Sequence, residues 1–443
     1  MMMIFLSFFF FIIIMNKINK NFMQFFFKIL LFMNFILMFF MMNYNMNYFT
    51  HICYDLGFDK YSFGLICLTL WIYILMMMVS NNFMNNLFYL NYMFLMLIML
   101  LTVILCFSTL NLILFYLTFE FSLLPMFFLI LGWGIQPDRI MAGMYMMTYT
   151  LFGSLPLLFM IIYIYLNYNT LIMNMINIIK LSYFMFTILI VAFLFKMPMY
   201  SMHLWLPKAH VESPIMGSML LAGVMLKLGS YGLLRMMFIM QEIWVNFNEF
   251  YIYYGIYSGI ICSFLCLCQN DMKMLVAYSS IVHMSILLSG MMTFFYWGIY
   301  GSFLMMIAHG LVSSGMFCLV NVIYERTKSR SFFFNKGLMN IYPSFTLMWF
   351  LICSSNLSFP PSLNLFSEIM LFNSLIIYSK TLILFSMMFI FLSSSYNLFF
   401  FSSTQHGKYP TIFKFNQIKL MEYMLLLFHW IPLNIFFNWI YLF

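Results

Sequence analysis

Six ionisable residues stand inside long apolar stretches: Glu120, Lys196, Lys227, His283, His309 and Glu368. A charged group at the centre of a bilayer costs about 2.5–3.5 kcal/mol on insertion scales, so each is by default a functional residue. Two carboxylates, two lysines and two imidazoles suit one task, the passing of protons. A lysine taken out of water has its pKa lowered, and a nearby carboxylate raises it again. Moving Glu120 towards or away from Lys196 would therefore switch that lysine between holding and releasing a proton. Lys227, His283, His309 and Glu368 would then form a polar row bridged by internal water. Histidine suits such a relay because it titrates near neutral pH. The plainer reading is structural: Glu120 with Lys196 could clamp two helices, and each histidine could be a satisfied interhelical hydrogen bond.

Such residues need elements that hold them in lipid. The chain has 443 residues, of which 65% are hydrophobic and 7% charged, with mean hydropathy +1.00. A soluble domain carries about 25% charged residues, so this chain cannot cover an ordinary water-facing surface, and its outer solvent must be lipid. A span needs about 20 mostly apolar residues. Windows of that kind fall at 2–15, 22–42, 61–79, 87–107, 109–131, 140–166, 183–205, 214–239, 250–268, 273–292, 297–323, 345–372, 376–402 and 420–442. The fold class expected is therefore an all-α integral membrane protein of about 14 transmembrane helices, because an open sheet could not satisfy its backbone in lipid. The first apolar run resembles a signal peptide, but no A-x-A-like cleavage site follows it, and it is kept as the first span.

Charge placement tests the count. The odd-numbered connections hold twelve cations: Lys17, Lys20, Arg139, Lys208, Lys273, Arg326, Lys328, Arg330, Lys336, Lys408, Lys414 and Lys419. The even ones hold three, Lys60, Lys180 and Lys380. The positive-inside rule puts the odd connections on the inside and both termini on the opposite face. The net charge of +8 reflects these loop cations and is no sign of nucleic-acid binding.

Two spans carry a break beside an ionisable residue. Lys196 is followed by Met197 and Pro198, and Ser358-Phe359-Pro360-Pro361 precedes Glu368. Proline removes a backbone donor and disrupts a helix, and interrupted helices at matching places in two halves point to a transporter's ion site. Pro198 to Pro361 is 163 residues, and so is Glu120 to His283. Span seven to span twelve is five helices, an odd number, which inverts the second copy. The chain therefore reads as two inverted five-helix repeats, each with a broken helix: helices one to three in 1–86, one repeat in 87–239, the second in 240–402, and a loop and helix in 403–443.

Other residues are weighed and set aside. Eight cysteines lie in apolar sequence without the paired spacing of zinc or iron–sulfur sites, and read as buried thiols. His203, His210 and Glu212 could ligate a metal, but their segment also suits an interfacial connection anchored by Trp205 and Lys208. Asp138 and Arg139 read as a loop ion pair. Phe (59) and Met (50) are abundant while Ala and Arg are scarce, the bias of an AT-rich organellar genome such as an arthropod mitochondrion.

The motifs carry a resemblance. Glu120-Phe-Ser-Leu-Leu-Pro leads to Gly132-Trp133-Gly134 and Gln136-Pro137; Lys196-Met-Pro and His203-Leu-Trp-Leu-Pro-Lys-Ala-His-Val-Glu-Ser-Pro214 follow; then come Leu226-Lys227-Leu-Gly-Ser-Tyr-Gly232, Ala277-Tyr-Ser-Ser, Ala308-His309-Gly310 and Pro360-Pro361. Over roughly residues 105–375 this resembles the antiporter-like subunit family of mitochondrial NADH:ubiquinone oxidoreductase; the flanks match in hydropathy alone. The resemblance implies a proton-conducting unit of the inner membrane, with odd loops in the matrix and with Glu120, Lys196, Lys227, His283, His309 and Glu368 on the proton path. It implies other membrane subunits of the complex, sibling antiporter-like subunits among them, as partners, together with lipids and internal water. It implies no cofactor in this chain: no GxGxxG or P-loop motif occurs, so NADH and flavin would bind elsewhere. An Mrp-type cation/proton antiporter is the alternative. A sodium site would want more membrane carboxylates, and a non-conducting scaffold would not carry six costly buried groups.

Overall fold

The computed structural model describes residues 2–15, 19–41, 46, 48–80, 88–176, 182–408 and 417–435. Ten helices there are long and apolar enough to cross a membrane, and four shorter apolar helices accompany them. Three crossings come first: α1 (Met2–Met15), α2 (Lys20–Phe40) and α3 (Lys60–Val79), with a two-stranded antiparallel hairpin, β1 (Thr50–Cys53) and β2 (Leu56–Phe58), before the third. The next five crossings are α4 (Tyr89–Ser108), α5 with α6 (Leu112–Phe121, Leu123–Trp133), α7 (Arg139–Tyr168), α8 (Tyr183–Lys196) and a long composite helix. Between the last two lies α9 (Trp205–Glu212). The composite helix joins α10 (Ile215–Leu220), a π segment (Leu221–Met225) and α11 (Leu226–Ile239).

The short α12 (Gln241–Phe247) leads to the second set of five: α13 (Glu249–Leu267), α14 (Met272–Met292), α15 (Tyr296–Thr327), a broken crossing and α19 (Leu382–Gln405). The broken crossing is α17 (Pro343–Asn356) with α18 (Leu363–Tyr378), preceded by the four-residue α16 (Leu338–Ile341). The last crossing among the described residues is α20 (Leu420–Ile435). The sequence expectation of span thirteen from 376 is corrected to Leu382, because the half-helix α18 runs on to Tyr378; Lys380 therefore lies in the connection.

Contacts between connections confirm the alternation of crossings. At one end Leu110 donates to Asp55, Met173 donates to Leu110, and the Asn248 side chain donates to Met292, joining only even-numbered connections. At the other end Met272 donates to Arg330, Phe332 to Asn270, Arg330 to Val211 and Gly337 to His406, joining only odd ones. The two five-helix sets thus run in opposite senses. Lys17, Lys180 and Lys414 lie outside the described residues; the other loop cations still favour the second end.

Burial follows role. The composite helix is buried along nearly all its length, Phe238 near its end excepted, and α14 and α15 nearly so, while α2, α7 and α19 turn much of their surface outward. Every one of the six ionisable residues except Glu120, which is half-buried, lies in this shielded interior. One buried ion pair ties the early helices to the repeats. Asp59, which caps α3 by accepting from Ser62, accepts from both terminal guanidinium nitrogens of Arg235 at 2.6 Å.

Candidate functional site

The crossing that carries Glu120 is interrupted one residue later than its neighbour Phe121, at Ser122. The interruption leaves carbonyls of the last turn of α5 without their usual helical donors. The Phe119 carbonyl accepts from Lys196 Nζ at 2.6 Å and from the Ser122 hydroxyl at 2.7 Å, and the ammonium lies 3.0 Å from the centre of the Phe119 ring. Lys196 is therefore fixed beside Glu120 through the backbone. No ion pair within 4.0 Å joins the two side chains, unlike Asp59 with Arg235 or Arg326 with Glu422. Both carboxylate oxygens of Glu120 are shielded and make no direct bond to Lys196.

The break after Lys196 has its own satisfaction. Helix α8 stops at Lys196, and the freed Phe195 carbonyl accepts from the Trp205 indole at 3.0 Å. Trp205 is thus a buried staple across the break, and the expectation that it anchors at the membrane interface is corrected. Gly229 lets α11 pass this point: a Cβ there would stand 3.0 Å from Lys196 Cβ and 3.1 Å from the Met197 nitrogen.

Lys227 emerges just after the π segment. Such single-turn bulges leave backbone groups unsatisfied and recur at functional sites. Here the Ala222 carbonyl, inside the bulge, accepts from Lys227 Nζ. The same nitrogen lies 2.8 Å from His309 Nδ1. The approach of the two helices depends on small residues, since a Cβ at Gly310 would meet the Gly223 carbonyl at 3.1 Å. The His309 and His283 rings stand 5.7 Å apart between centroids, and His283 Nδ1 lies 3.6 Å from Glu368 Oε1. Glu368 in turn accepts from the Ser358 hydroxyl in the second break. Lys227, His309, His283 and Glu368 thus form one buried row from the middle of the first repeat to the break of the second.

Two successive parts of the chain match different family models. Residues 1–108 match the one described as NADH-ubiquinone oxidoreductase chain 4, amino terminus, and residues 109–394 the one described as NADH:quinone oxidoreductase/Mrp antiporter, TM. A protein named NADH-ubiquinone oxidoreductase chain 4 from Ceratitis capitata is 48% identical over 409 residues, which are 89% of each chain. Those of the same name from Aedes aegypti and Locusta migratoria are each 47% identical, over 88% and 87% of both chains. The chain belongs to the NADH-ubiquinone oxidoreductase chain 4 family. Its fold is also that of a chain in respiratory complex I from Thermus thermophilus with bound NADH, at 19% identity and TM-score 0.85, covering 98% of this chain and 94% of that one.

Within this member of the chain 4 family, the structure adds residues to the row that sequence alone did not single out. Tyr396 of α19 places its hydroxyl 3.5 Å from His283 Nε2, and Asn356 at the end of α17 donates to Asn397 Oδ1 at 2.6 Å. Ser358 takes the left-handed conformation, φ 55°, which turns its hydroxyl to Glu368. Sequence had already placed Ser358 at the start of the break before Glu368, without a role for its hydroxyl. Other expectations change. Arg139 donates to the Gly134 carbonyl at 2.9 Å and makes no ion pair with Asp138 among the described residues. Cys268 is exposed, unlike the buried Cys262 and Cys266. His203, His210 and Glu212 do not converge: no group of three possible metal ligands occurs among the described residues.

Proposed function

We propose that this chain moves protons across the mitochondrial inner membrane along its buried row, driven by redox chemistry in other subunits. It is a multi-pass, proton-translocating subunit of the membrane arm of NADH:ubiquinone oxidoreductase, and other membrane-arm subunits are its partners. The observation that carries the route is the continuous arrangement Lys227, His309, His283, Glu368, in which a 2.8 Å contact is followed by gaps that one water or a small side-chain movement closes. A lysine beside a histidine shares a proton readily, and the carboxylate at the far end receives it next to a break whose backbone groups can hold water.

Glu120 and Lys196 act upstream of the row as a switch. Moving one proton against 100 mV takes about 2.3 kcal/mol. That is less than two pKa units, within what burial and one nearby charge supply. The cation-rich end faces the matrix and both termini the intermembrane space. The repeats span 87–239 and 240–402. NADH, flavin and iron–sulfur centres belong to other subunits. An Mrp-type exchange of cations is the less specific reading, because the row holds a single carboxylate to coordinate one.

The test is proton translocation by the assembled complex carrying Lys227→Met, with assembly checked first. A fall of at least threefold per NADH oxidised is expected. Unchanged translocation would overturn the proposed route.

A further inference from the structure

The segment between the first break and the composite helix has a use that the row leaves open. His210 of α9 is fully buried, its ring stacked on Phe317 of α15 at 4.5 Å between centroids and 11° between planes. Neither ring nitrogen has a hydrogen-bond partner. A buried polar atom left so costs about 1–3 kcal/mol, so the site calls for a water or for a proton donor that visits it. Phe317 lies eight residues beyond His309 on the same helix, about 12 Å at the helical rise, towards the cation-rich end.

Two residues further along α9 is Glu212, at the membrane edge. One of its carboxylate oxygens is buried without a partner, as is the hydroxyl of Ser331 in the adjoining loop. Lys273, at the start of α14, is buried too and donates to the Ser213 carbonyl at 3.2 Å. Arg330 donates to the Val211 carbonyl at 2.7 Å, so the loop of the second repeat is held against α9. Unsatisfied acceptors and titratable groups therefore run from the cation-rich surface down to the centre of the row.

We propose that protons enter the row from the cation-rich end through Glu212 and Lys273, with His210 as the station between that mouth and Lys227. Arg330, and after it Lys273, are the cations that keep Glu212 able to ionise at the membrane edge. His210 takes a proton through water at one nitrogen and releases it from the other, so that no net charge stays in the interior. The inference rests on the proton route proposed above.

His210→Phe tests it, because a phenyl ring keeps the stack on Phe317 and removes both nitrogens. It is measured in the assembled complex in coupled vesicles beside Glu212→Gln, Glu212→Asp and Lys227→Met. Translocation per NADH is expected to fall at least threefold for His210→Phe and Glu212→Gln, and to stay within twofold for Glu212→Asp, which restores the carboxylate. Normal translocation in His210→Phe and Glu212→Gln, with Lys227→Met defective, would overturn the entry route alone. Normal translocation in Lys227→Met would overturn the row beneath it. If His210→Phe does not assemble, a high-resolution map of the wild-type complex decides: ordered water at the His210 nitrogens and at Glu212 supports the route, and a dry site overturns it.

Discussion

Glu120 and Lys196 are close without being paired. The ammonium is held by the Phe119 carbonyl, and the carboxylate makes no direct bond to it. A structural clamp would use the direct ion pair, since a buried charge pair is worth its desolvation only with good geometry. The unpaired arrangement is one in which a small shift of either helix changes the charge felt by Lys196. Glu120→Gln separates the two readings, because the amide keeps the volume and a polar contact but loses the charge. Proton translocation in the assembled complex is expected to fall at least threefold; translocation equal to wild type would leave the clamp standing. Gly229 sets how closely α11 passes Lys196. Gly229→Ala is expected to destabilise by about 1–3 kcal/mol through overpacking, read as a lower melting temperature of the purified complex.

At the scale of elements, breaks and bulges do the positioning. Each interrupts a helix beside an ionisable residue: Ser122 after Glu120, the 197–204 segment after Lys196, the π segment before Lys227, and the 357–362 segment before Glu368. Backbone groups freed in lipid must find partners, and in this chain those partners include the Trp205 indole and the Asn364 amide, which donates to the Ser355 carbonyl. Helix α3 is fastened to α11 by Asp59 and Arg235. Burial would raise the Asp59 carboxyl, but the Arg235 charge and the hydrogen bonds from Arg235 and Ser62 hold it below the ordinary carboxylate range. A carboxyl lowered in the folded state contributes stability above its ordinary pKa and loses it only as pH falls through the lowered value. The pair should thus contribute equally at pH 7 and pH 5. Asp59→Asn leaves Arg235 buried and uncompensated, at a cost of about 3–5 kcal/mol. Thermal denaturation of the complex at both pH values checks this, and a loss of similar size at each is expected.

The whole molecule has two chemically distinct ends. Hydrogen bonds join odd connections to odd and even to even, and the cations gather at the odd end. The loop 325–344 is therefore expected to be labelled or cleaved from the matrix side only. Access from the intermembrane side alone would reverse the topology and, with it, the direction of entry at Glu212. Family membership supplies the assembly in which such experiments are made; the direction comes from charge.

Composition alone required lipid as solvent, because 7% charged residues cannot cover a water-facing surface. Windows of apolar sequence then marked all fourteen crossings, since length and hydropathy are local properties. Proline beside Lys196 and Glu368 marked both breaks for the same reason. Sequence was silent where the deciding contact joins distant residues. The π segment before Lys227 has no proline to announce it; it shows only once Gly223 meets Gly310 across two helices. Tyr396 and Asn397 look like ordinary polar residues of an outer helix until α19 is packed against α17 and α14. Asp138 and Arg139 are adjacent in sequence, yet the turn at Gly134 takes the guanidinium instead. Which buried groups exist was a matter of residue type. Which of them touch was set by helix packing, because small residues at a few crossings fix which side chains come within reach of a proton.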